Sequence, residues 1–284
     1  EIGVRLVGSE MCIRDSSWGS KHPGLLIYLV DLSGSMAWDD KIKRVSNTIW
    51  NVVDCLTAPC QDNGVYKNRY YLKVIGYNQY TYDLFSGDIN DINSWLDAHD
   101  NEQFIDIEKE GKPRGLTHMS IAFDKAAEVV RKWIGSQNVK GQPIPAPIVI
   151  NITDGYPEEK GMDEAQSRDK ALQAANALKS ISVPDGNVLL FNIHIDGVPG
   201  TEPEIQFPSS RPEETRKAFL FDASSEMNNT FVERAQRTNL SAVAGSRFMV
   251  SNVSNQRTLS RLVVFGSSVS GLTKPNGRSE VSID

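Results

Sequence analysis

Residues 25–35 of this chain read LLIYLVDLSGS, and this stretch decides the fold class. Its first six residues are all apolar, which predicts a strand buried on both faces, as in a parallel sheet covered by helices. Asp31, Ser33 and Ser35 follow at every second position. A carboxylate and two hydroxyls in a tight loop at the end of a strand can converge on one hard cation. The competing interpretation is that the two serines only form a turn and cap the next helix.

Strand-like and helix-like segments alternate along the rest of the chain. Further strands are predicted over residues 70–77, 80–85, 148–152, 188–195 and 247–250. Helices are predicted over residues 42–56, 89–96, 121–133, 163–181, 212–221, 229–238 and 258–265. Residues 61–68 and 197–211 are predicted to be loops, and Asp39 or Asp40 is predicted to cap the first helix.

This alternation predicts an α/β fold of three layers, in which an open, mostly parallel sheet has helices on both faces. The neighbouring segments 70–77 and 80–85 predict a hairpin, which would place an antiparallel strand at the edge of the sheet. The last strand segment, 247–250, is also expected at an edge.

The chain has 284 residues, with 30 Lys and Arg against 36 Asp and Glu, a formal charge of −6 and a pI near 5.4. That length suits one large domain or two small ones, and no strong linker divides it. The mild acidity provides neither a basic face for nucleic acid nor a polybasic patch for membranes. No apolar run approaches the roughly 20 residues needed to cross a bilayer. We therefore expect neither a nucleic-acid partner nor a membrane span.

Residues 6–16, LVGSEMCIRDS, match the translation of a sequencing-library adaptor over eleven consecutive positions. We therefore interpret residues 1–16 as adaptor-derived, although their alternating apolar side chains would also fit a native strand. The predicted domain spans residues 17–266, and residues 267–284, rich in Ser and Gly, are predicted to be disordered. If the native start is missing, the sequence is uninformative about a signal peptide.

Two more oxygen-bearing side chains are expected at the same end of the sheet. Asp154 follows the apolar segment 148–152, so a second carboxylate stands where a buried strand ends. Thr117 lies in a glycine-containing loop before a predicted helix. In open α/β sheets, ligands bind beyond the carboxyl ends of the strands. Taken singly, Asp154 would fit an ordinary turn, and Thr117 would fit an N-cap for the helix after it.

Three motifs together resemble the metal-ion-dependent adhesion site (MIDAS) of a von Willebrand factor type A (VWA) domain. They are D-x-S-x-S at 31–35, G-L-T at 115–117 and T-D-G at 153–155. Any one of them is weak, but three in this order, two directly after apolar strands, are specific. The resemblance covers about residues 23–265 and implies a Rossmann-like VWA fold.

The resemblance also implies a role for each of five side chains. Ser33 and Ser35 would bind the metal directly, and Thr117 would bind directly or through water. Asp31 and Asp154 would act mainly through water and hydrogen bonds. Because all these donors are oxygens, the expected ion is Mg²⁺, or else Mn²⁺ or Ca²⁺. Neutral hydroxyls leave the charge of the ion poorly neutralised, so a carboxylate from a partner can complete its coordination.

Other polar residues near the motifs are expected to stay outside the coordination shell. His118 is interpreted as a loop residue beside the site, because the neighbouring donors are all oxygens. Asp39, Asp40, Glu158 and Glu159 are expected to be solvated, or to influence partner choice by lying near the ion.

Cys55 and Cys60 bear on the cellular compartment. We expect two free thiols, one of them buried on the first helix. A disulfide between them would instead indicate an oxidising compartment. Zinc is not expected, because no further Cys or His stands at ligand spacing.

The sequence predicts a binding module and not an enzyme. No Ser-His-Asp set, P-loop or Cys-His pair is recognisable. The expected partner is a protein that presents an Asp or Glu carboxylate to the ion.

Segments 207–210 (FPSS), 219–221 (FLF) and 224–225 (SS) also resemble the bacterial tellurite-resistance-associated VWA group. That group is often encoded with a protein kinase and a PP2C-type phosphatase in stress or defence loci. The resemblance implies a cytoplasmic protein with a partner in such a system. The alternatives are a fragment of a secreted or surface adhesin, and a metal-assisted hydrolase or a chelatase subunit.

Overall fold

A computed structural model describes residues 18, 22–57, 60–99, 103–109, 111–137, 144–195 and 202–267. The segment interpreted as adaptor-derived, 1–16, lies outside these residues, as do 268–284 of the predicted disordered tail. Both expectations therefore stay predictions. Ser267, expected in the tail, is the last residue of the final helix.

Within the described residues, seven strands form one sheet, and two small hairpins are separate from it. The strands are β1 Gly24–Asp31, β2 Gln61–Asp62, β3 Val65–Tyr66, β4 Tyr70–Tyr77, β5 Thr81–Gly87, β6 Ile148–Thr153, β7 Ser182–Val183, β8 Gly186–Asn187, β9 Leu189–Ile195, β10 Ile205–Gln206 and β11 Met249–Val253. The order in the large sheet is β10-β11-β9-β6-β1-β4-β5. Its inner strands pair in parallel, and the two edge strands, β5 and β10, pair antiparallel with their neighbours.

The predicted mostly parallel sheet is confirmed, with one more antiparallel edge than expected. β5 is the predicted edge strand. β10 lies in a segment predicted to be a loop, and it places β11 inside the sheet instead of at its edge. A strand of two residues is too short to leave an alternating pattern in the sequence. The predicted loop 61–68 likewise contains the β2–β3 hairpin.

Helices on both faces complete the three predicted layers. After a 3-10 helix at Gly34–Asp40, they are α1 Lys41–Thr57, α2 Ile89–Ala98, α3 Met119–Ser136, α4 Glu164–Lys179, α5 Thr215–Ala223, α6 Asn229–Arg237 and α7 Gln256–Ser267. One apolar cluster joins the even-numbered residues of β1 to α1, α2, α6 and α7. The other joins its odd-numbered residues to α3, α4 and α5. All of β1 is therefore buried, as its unbroken apolar run predicted.

The connection from β1 to α1 differs from the prediction. Asp39 and Asp40 both have a φ of 53°. An N-cap residue normally has an extended backbone, so neither has the conformation expected of the predicted cap. Together with Trp38, the two residues instead form a kink between the 3-10 helical turn and α1.

Candidate metal centre

The carboxyl ends of β1 and β6 meet because these two strands are parallel neighbours. Their register pairs Val30 with Ile152, which places Asp31 beside Thr153 with Asp154 just beyond it. Sheet topology therefore brings the two predicted carboxylates to the same edge, although they are more than a hundred residues apart in the chain.

Asp31 is fully buried, and both of its carboxylate oxygens accept hydrogen bonds. Oδ1 accepts from the backbone N–H of Ser33 at 2.7 Å, and Oδ2 accepts from Thr153 Oγ1 at 2.6 Å. Burial raises the pKa of Asp31 to about 7, and these hydrogen bonds limit the rise. Because ionising a buried carboxyl is costly without a nearby positive charge, this position is suited to a cation.

Asp154 is held in place by one hydroxyl and one ammonium group. Ser35 Oγ donates to its Oδ1 at 2.8 Å, and Lys41 Nζ donates to its Oδ2 at 2.7 Å. Ser33 Oγ lies 3.2 Å from Ser35 Oγ, which extends the group to the second serine. Each hydroxyl oxygen carries two lone pairs, so the serines can serve Asp154 and still coordinate an ion.

Lys41 is the site residue that the sequence did not single out. It is the first residue of α1, and its side chain is only 11% exposed. The signal that could have found it is its position at the start of the helix that directly follows the site loop.

The loop that carries Thr117 is fixed against the 31–35 loop through its backbone. Gly115 has a φ of +75°, which favours glycine, and its carbonyl accepts a 3.0 Å hydrogen bond from Gly34 N. Thr117 is buried, and its carbonyl accepts from Glu158 N at 2.9 Å. Backbone hydrogen bonds therefore join the three loops that contain the three motifs.

Gly155 shows that Thr117 and Asp31 border one space. A Cβ on Gly155 would lie 2.9 Å from Thr117 Oγ1 and 3.3 Å from Asp31 Oδ2. The space beside these two oxygens is thus open because residue 155 is a glycine and has no side chain. Together with the serine contacts, this brings all five predicted ligand residues into one group. All of their side-chain donors are oxygens, a set that fits a hard divalent cation.

His118 takes the helix-capping position that was the alternative role of Thr117. It is the N-cap residue of α3, although its side chain makes no capping hydrogen bond. Its Nε2 accepts a 3.1 Å hydrogen bond from Lys160 N. That nitrogen's lone pair is therefore engaged, so His118 remains a loop residue beside the site.

Glu159 is buried, contrary to the expectation that it is solvated. Its carboxylate accepts hydrogen bonds from Ser120 Oγ at 2.5 Å and from Lys170 Nζ at 3.0 Å. These contacts fix the loop after β6 to the start of α3 and to α4. The other three acidic residues expected to be solvated are exposed: Asp39, Asp40 and Glu158.

A cleft of about 460 Å³ opens beside the site. Ser35, Thr117 and Asp154 line it together with Tyr156, Met162 and Arg216. In the segments that the structure describes, no group of three or more His, Cys, Asp or Glu side chains is placed to hold a metal ion. The candidate centre therefore depends on hydroxyl oxygens as well as on its two carboxylates.

The two cysteines of α1 and its following turn agree with the expectation of free thiols. Both are free, but the expected buried thiol on the helix is wrong: Cys55, on α1, is half-buried, and the buried one is Cys60, beyond the end of α1. Separately, none of the helices described is long and apolar enough to span a bilayer.

Comparison with known proteins finds structural likeness only. No protein-family model matches the chain, and no curated protein matches it. A von Willebrand factor type A protein from Catenulispora acidiphila matches at 12% identity and a TM-score of 0.40, over 62% of this chain and 34% of that one. Manganese-loaded TRAP protein from Plasmodium vivax matches at 18% identity and a TM-score of 0.45, over 86% and 72%.

A third similar structure is proximal thread matrix protein 1 from the mussel byssus, described with a zinc-occupied MIDAS motif. It matches at 15% identity and a TM-score of 0.46, over 86% of this chain and 47% of that one. This chain thus spans about a third of the Catenulispora protein and about half of the mussel protein. At identities this low, the similarity concerns only the fold. The metals and partners that those proteins bind are not thereby shown for this chain.

Proposed function

We propose that this chain is a protein-interaction module that binds a partner's Asp or Glu carboxylate through a divalent cation held in a MIDAS. Ser33, Ser35 and Thr117 would provide hydroxyl ligands. Asp31 and Asp154 would orient those hydroxyls and ion-bound water. The observation that carries the proposal is the convergence of these five side chains at one edge of the sheet.

The hydrogen bonds fit the proposed division between hydroxyl ligands and carboxylates that orient them. Both oxygens of Asp31 and both oxygens of Asp154 already accept hydrogen bonds from the protein. When bound, Mg²⁺, Mn²⁺ or Ca²⁺ supplies positive charge and an open coordination position. Hydroxyls do not neutralise that charge, which favours an anionic group from a partner.

Exposed apolar side chains favour a protein partner over a small anion. Trp38, in the 3-10 helix after the site loop, is 66% exposed, and Tyr80, in the β4–β5 turn, is 67% exposed. Met162, in the loop after β6, lines the cleft. All three stand at the carboxyl edge of the sheet. The remaining exposed large apolar side chains of the described segments lie toward the opposite edge: Val65, Tyr66 and Val243.

The proposal extends to the cellular setting of the module. We place the module in a cytoplasmic bacterial stress or defence system, without enzymatic activity of its own, and with a protein kinase or PP2C-type phosphatase system as the source of its partner. The support is the resemblance of the short segments between residues 207 and 225 to the tellurite-resistance-associated group. Sequencing the surrounding locus tests this part, which is abandoned if no kinase or phosphatase gene adjoins.

Metal binding is tested by titrating Mn²⁺ and Mg²⁺ into the protein by calorimetry. Asp31→Asn removes one charge from the site, and Glu158→Gln removes one charge from an exposed neighbour. We expect Asp31→Asn to weaken binding by roughly ten- to a hundredfold, whereas Glu158→Gln binds like the wild type. Equal binding by the wild type and Asp31→Asn would overturn the site assignment.

A further inference from the structure

Lys41 is a buried lysine whose ammonium is directed at the candidate metal centre. Its Nζ lies 2.7 Å from Asp154 Oδ2, and both side chains are nearly inaccessible to solvent. Lysine is almost never fully buried unless it is paired. Removing such a charge from water is costly. The fold of α1 alone does not require a lysine at this buried position.

An unusual backbone conformation leads the chain to this position. Trp38 is extended, with a ψ of 148°, and Asp39 and Asp40 follow with a φ of 53°. A positive φ is uncommon for residues other than glycine, although aspartate tolerates it better than most. Lys41 N then donates to the carbonyls of Met36 and Trp38. α1 begins directly after this kink, and the Lys41 side chain at its start reaches Asp154.

We propose that Lys41 sets the charge of the metal centre, so that the cation-loaded site carries a net positive charge and selects a carboxylate. When both carboxylates are ionised, they and the one ammonium give the site a formal charge of −1 before the ion is counted. A divalent ion changes this to +1. With a neutral residue at position 41, the loaded site would be formally neutral. This inference rests on the proposed function and adds to it the residue that makes the loaded site anion-selective.

The same charge has the opposite effect on the ion itself. The ammonium repels a cation and occupies Asp154 Oδ2, which would otherwise be free to approach it. Ser35 Oγ donates to Oδ1 independently of Lys41, so that oxygen would keep its partner in a neutral variant. Neutralising Lys41 is therefore expected to strengthen cation binding and weaken carboxylate binding. A residue with only a structural role would weaken both when replaced.

The test uses the full chain, with Lys41→Met and Lys41→Gln as neutral variants and Lys41→Arg as a charge-retaining control. Lys43→Met removes a charge from an exposed position of the same helix. Mn²⁺ affinity is measured by calorimetry. Carboxylate binding is measured by titrating acetate into Mn²⁺-saturated protein and following water-proton relaxation, which reports displacement of ion-bound water. The circular dichroism spectrum of each neutral variant is compared with that of the wild type, and only a variant that is folded is used.

We expect the neutral variants to bind Mn²⁺ roughly tenfold more tightly than the wild type and acetate several-fold more weakly. Lys41→Arg and Lys43→Met keep both affinities close to the wild type. Weaker Mn²⁺ binding, or unchanged acetate binding, in a folded neutral variant overturns the role of Lys41 while leaving the proposed function intact. Absence of Mn²⁺ binding by the wild type overturns the proposed function itself.

Discussion

Thr153 Oγ1 donates a 2.6 Å hydrogen bond to Asp31 Oδ2, joining the last residues of two neighbouring parallel strands. The same hydroxyl accepts a 2.9 Å hydrogen bond from Gly155 N. Thr153 thus orients one carboxylate of the centre and shapes the turn that bears the other. Thr153 would influence ion binding indirectly, by orienting the Asp31 carboxylate, as groups that support metal ligands usually do.

Thr153→Val tests this positioning role, because valine keeps the shape and removes the hydroxyl. Asp31 Oδ2 would lose its partner while remaining buried, which costs about 1–3 kcal/mol of unfolding free energy. We expect Mn²⁺ affinity to fall roughly tenfold or more. Urea denaturation and calorimetry measure the two effects. Thr153→Ser, which retains the hydroxyl, serves as the control, and equal Mn²⁺ affinity in the two variants would contradict the role.

Gly155→Ala tests whether the space between Thr117 and Asp31 must stay open. The added Cβ would lie 2.9 Å from Thr117 Oγ1, so one of the loops has to shift. We expect a loss of stability of about 1–3 kcal/mol and a measurable loss of Mn²⁺ affinity in calorimetry. The matched control is Gly135→Ala in the last turn of α3, where the new methyl group would meet nothing.

The control should keep full Mn²⁺ affinity and gain up to about 1 kcal/mol of stability, because alanine is the better helix former. A Gly155→Ala variant that binds Mn²⁺ as tightly as Gly135→Ala would show that this space is not part of the metal site.

A chain of buried hydrogen bonds crosses the sheet from β4 to α5. Tyr77 OH donates to Asn151 Oδ1 at 2.9 Å, and Asn151 Nδ2 donates to Asn192 Oδ1 at 3.0 Å. Asn192 Nδ2 donates in turn to Ser224 Oγ at 3.0 Å. These side chains lie in the layer beneath α3 and α4, where an unpaired polar group cannot reach water.

Asn151→Leu should therefore destabilise the fold strongly, because it leaves the Tyr77 hydroxyl and Asn192 Oδ1 without their partner. Each buried unsatisfied group costs about 1–3 kcal/mol, and urea denaturation measures the total. Asn176→Leu, on the exposed face of α4, is expected to change stability by no more than about 0.5 kcal/mol. A similar loss of unfolding free energy in both variants would argue against a stabilising role for these buried hydrogen bonds.

The sequence predicted the parallel strands and the five residues that the structure brings together, for a physical reason; that these five bind a metal stays a prediction. Strands buried on both faces leave unbroken apolar runs, and polar residues directly after such runs stand out. Asp31 and Asp154 are visible in this way. The register that sets Asp31 beside Thr153 appears only when the two strands are paired.

The burial of Lys41 and Glu159 could not be predicted, because the residues that surround them are distant in the sequence. The partner of Lys41 is 113 residues away, and locally Lys41 fits the polar face of an amphipathic helix. Glu159 follows another glutamate in a polar loop, and only the docking of that loop on α3 buries it. The burial of charged side chains near a predicted site can therefore be assigned only once the tertiary contacts are known.

Cys60 and Cys55 should differ in their reaction with iodoacetamide, because only the thiolate reacts. Burial raises the pKa of Cys60 to about 11, and burial also raises the pKa of the half-buried Cys55. At pH 8, about one Cys60 thiol in a thousand would be ionised. Its side chain also donates to the carbonyl of Leu56 at 3.5 Å. We therefore expect Cys55 to be alkylated first and Cys60 to remain largely unmodified in the folded protein.

Raising the pH toward 11 should accelerate alkylation of Cys60, because a thiol with a raised pKa gains thiolate as the pH rises through that value. In urea the thiol is exposed and regains its ordinary pKa, so both cysteines should react at similar rates at pH 8. Peptide mass spectrometry follows the two positions separately. A pair that resists alkylation even in urea, and reacts only after reduction, would show that Cys55 and Cys60 form a disulfide and would favour an oxidising compartment.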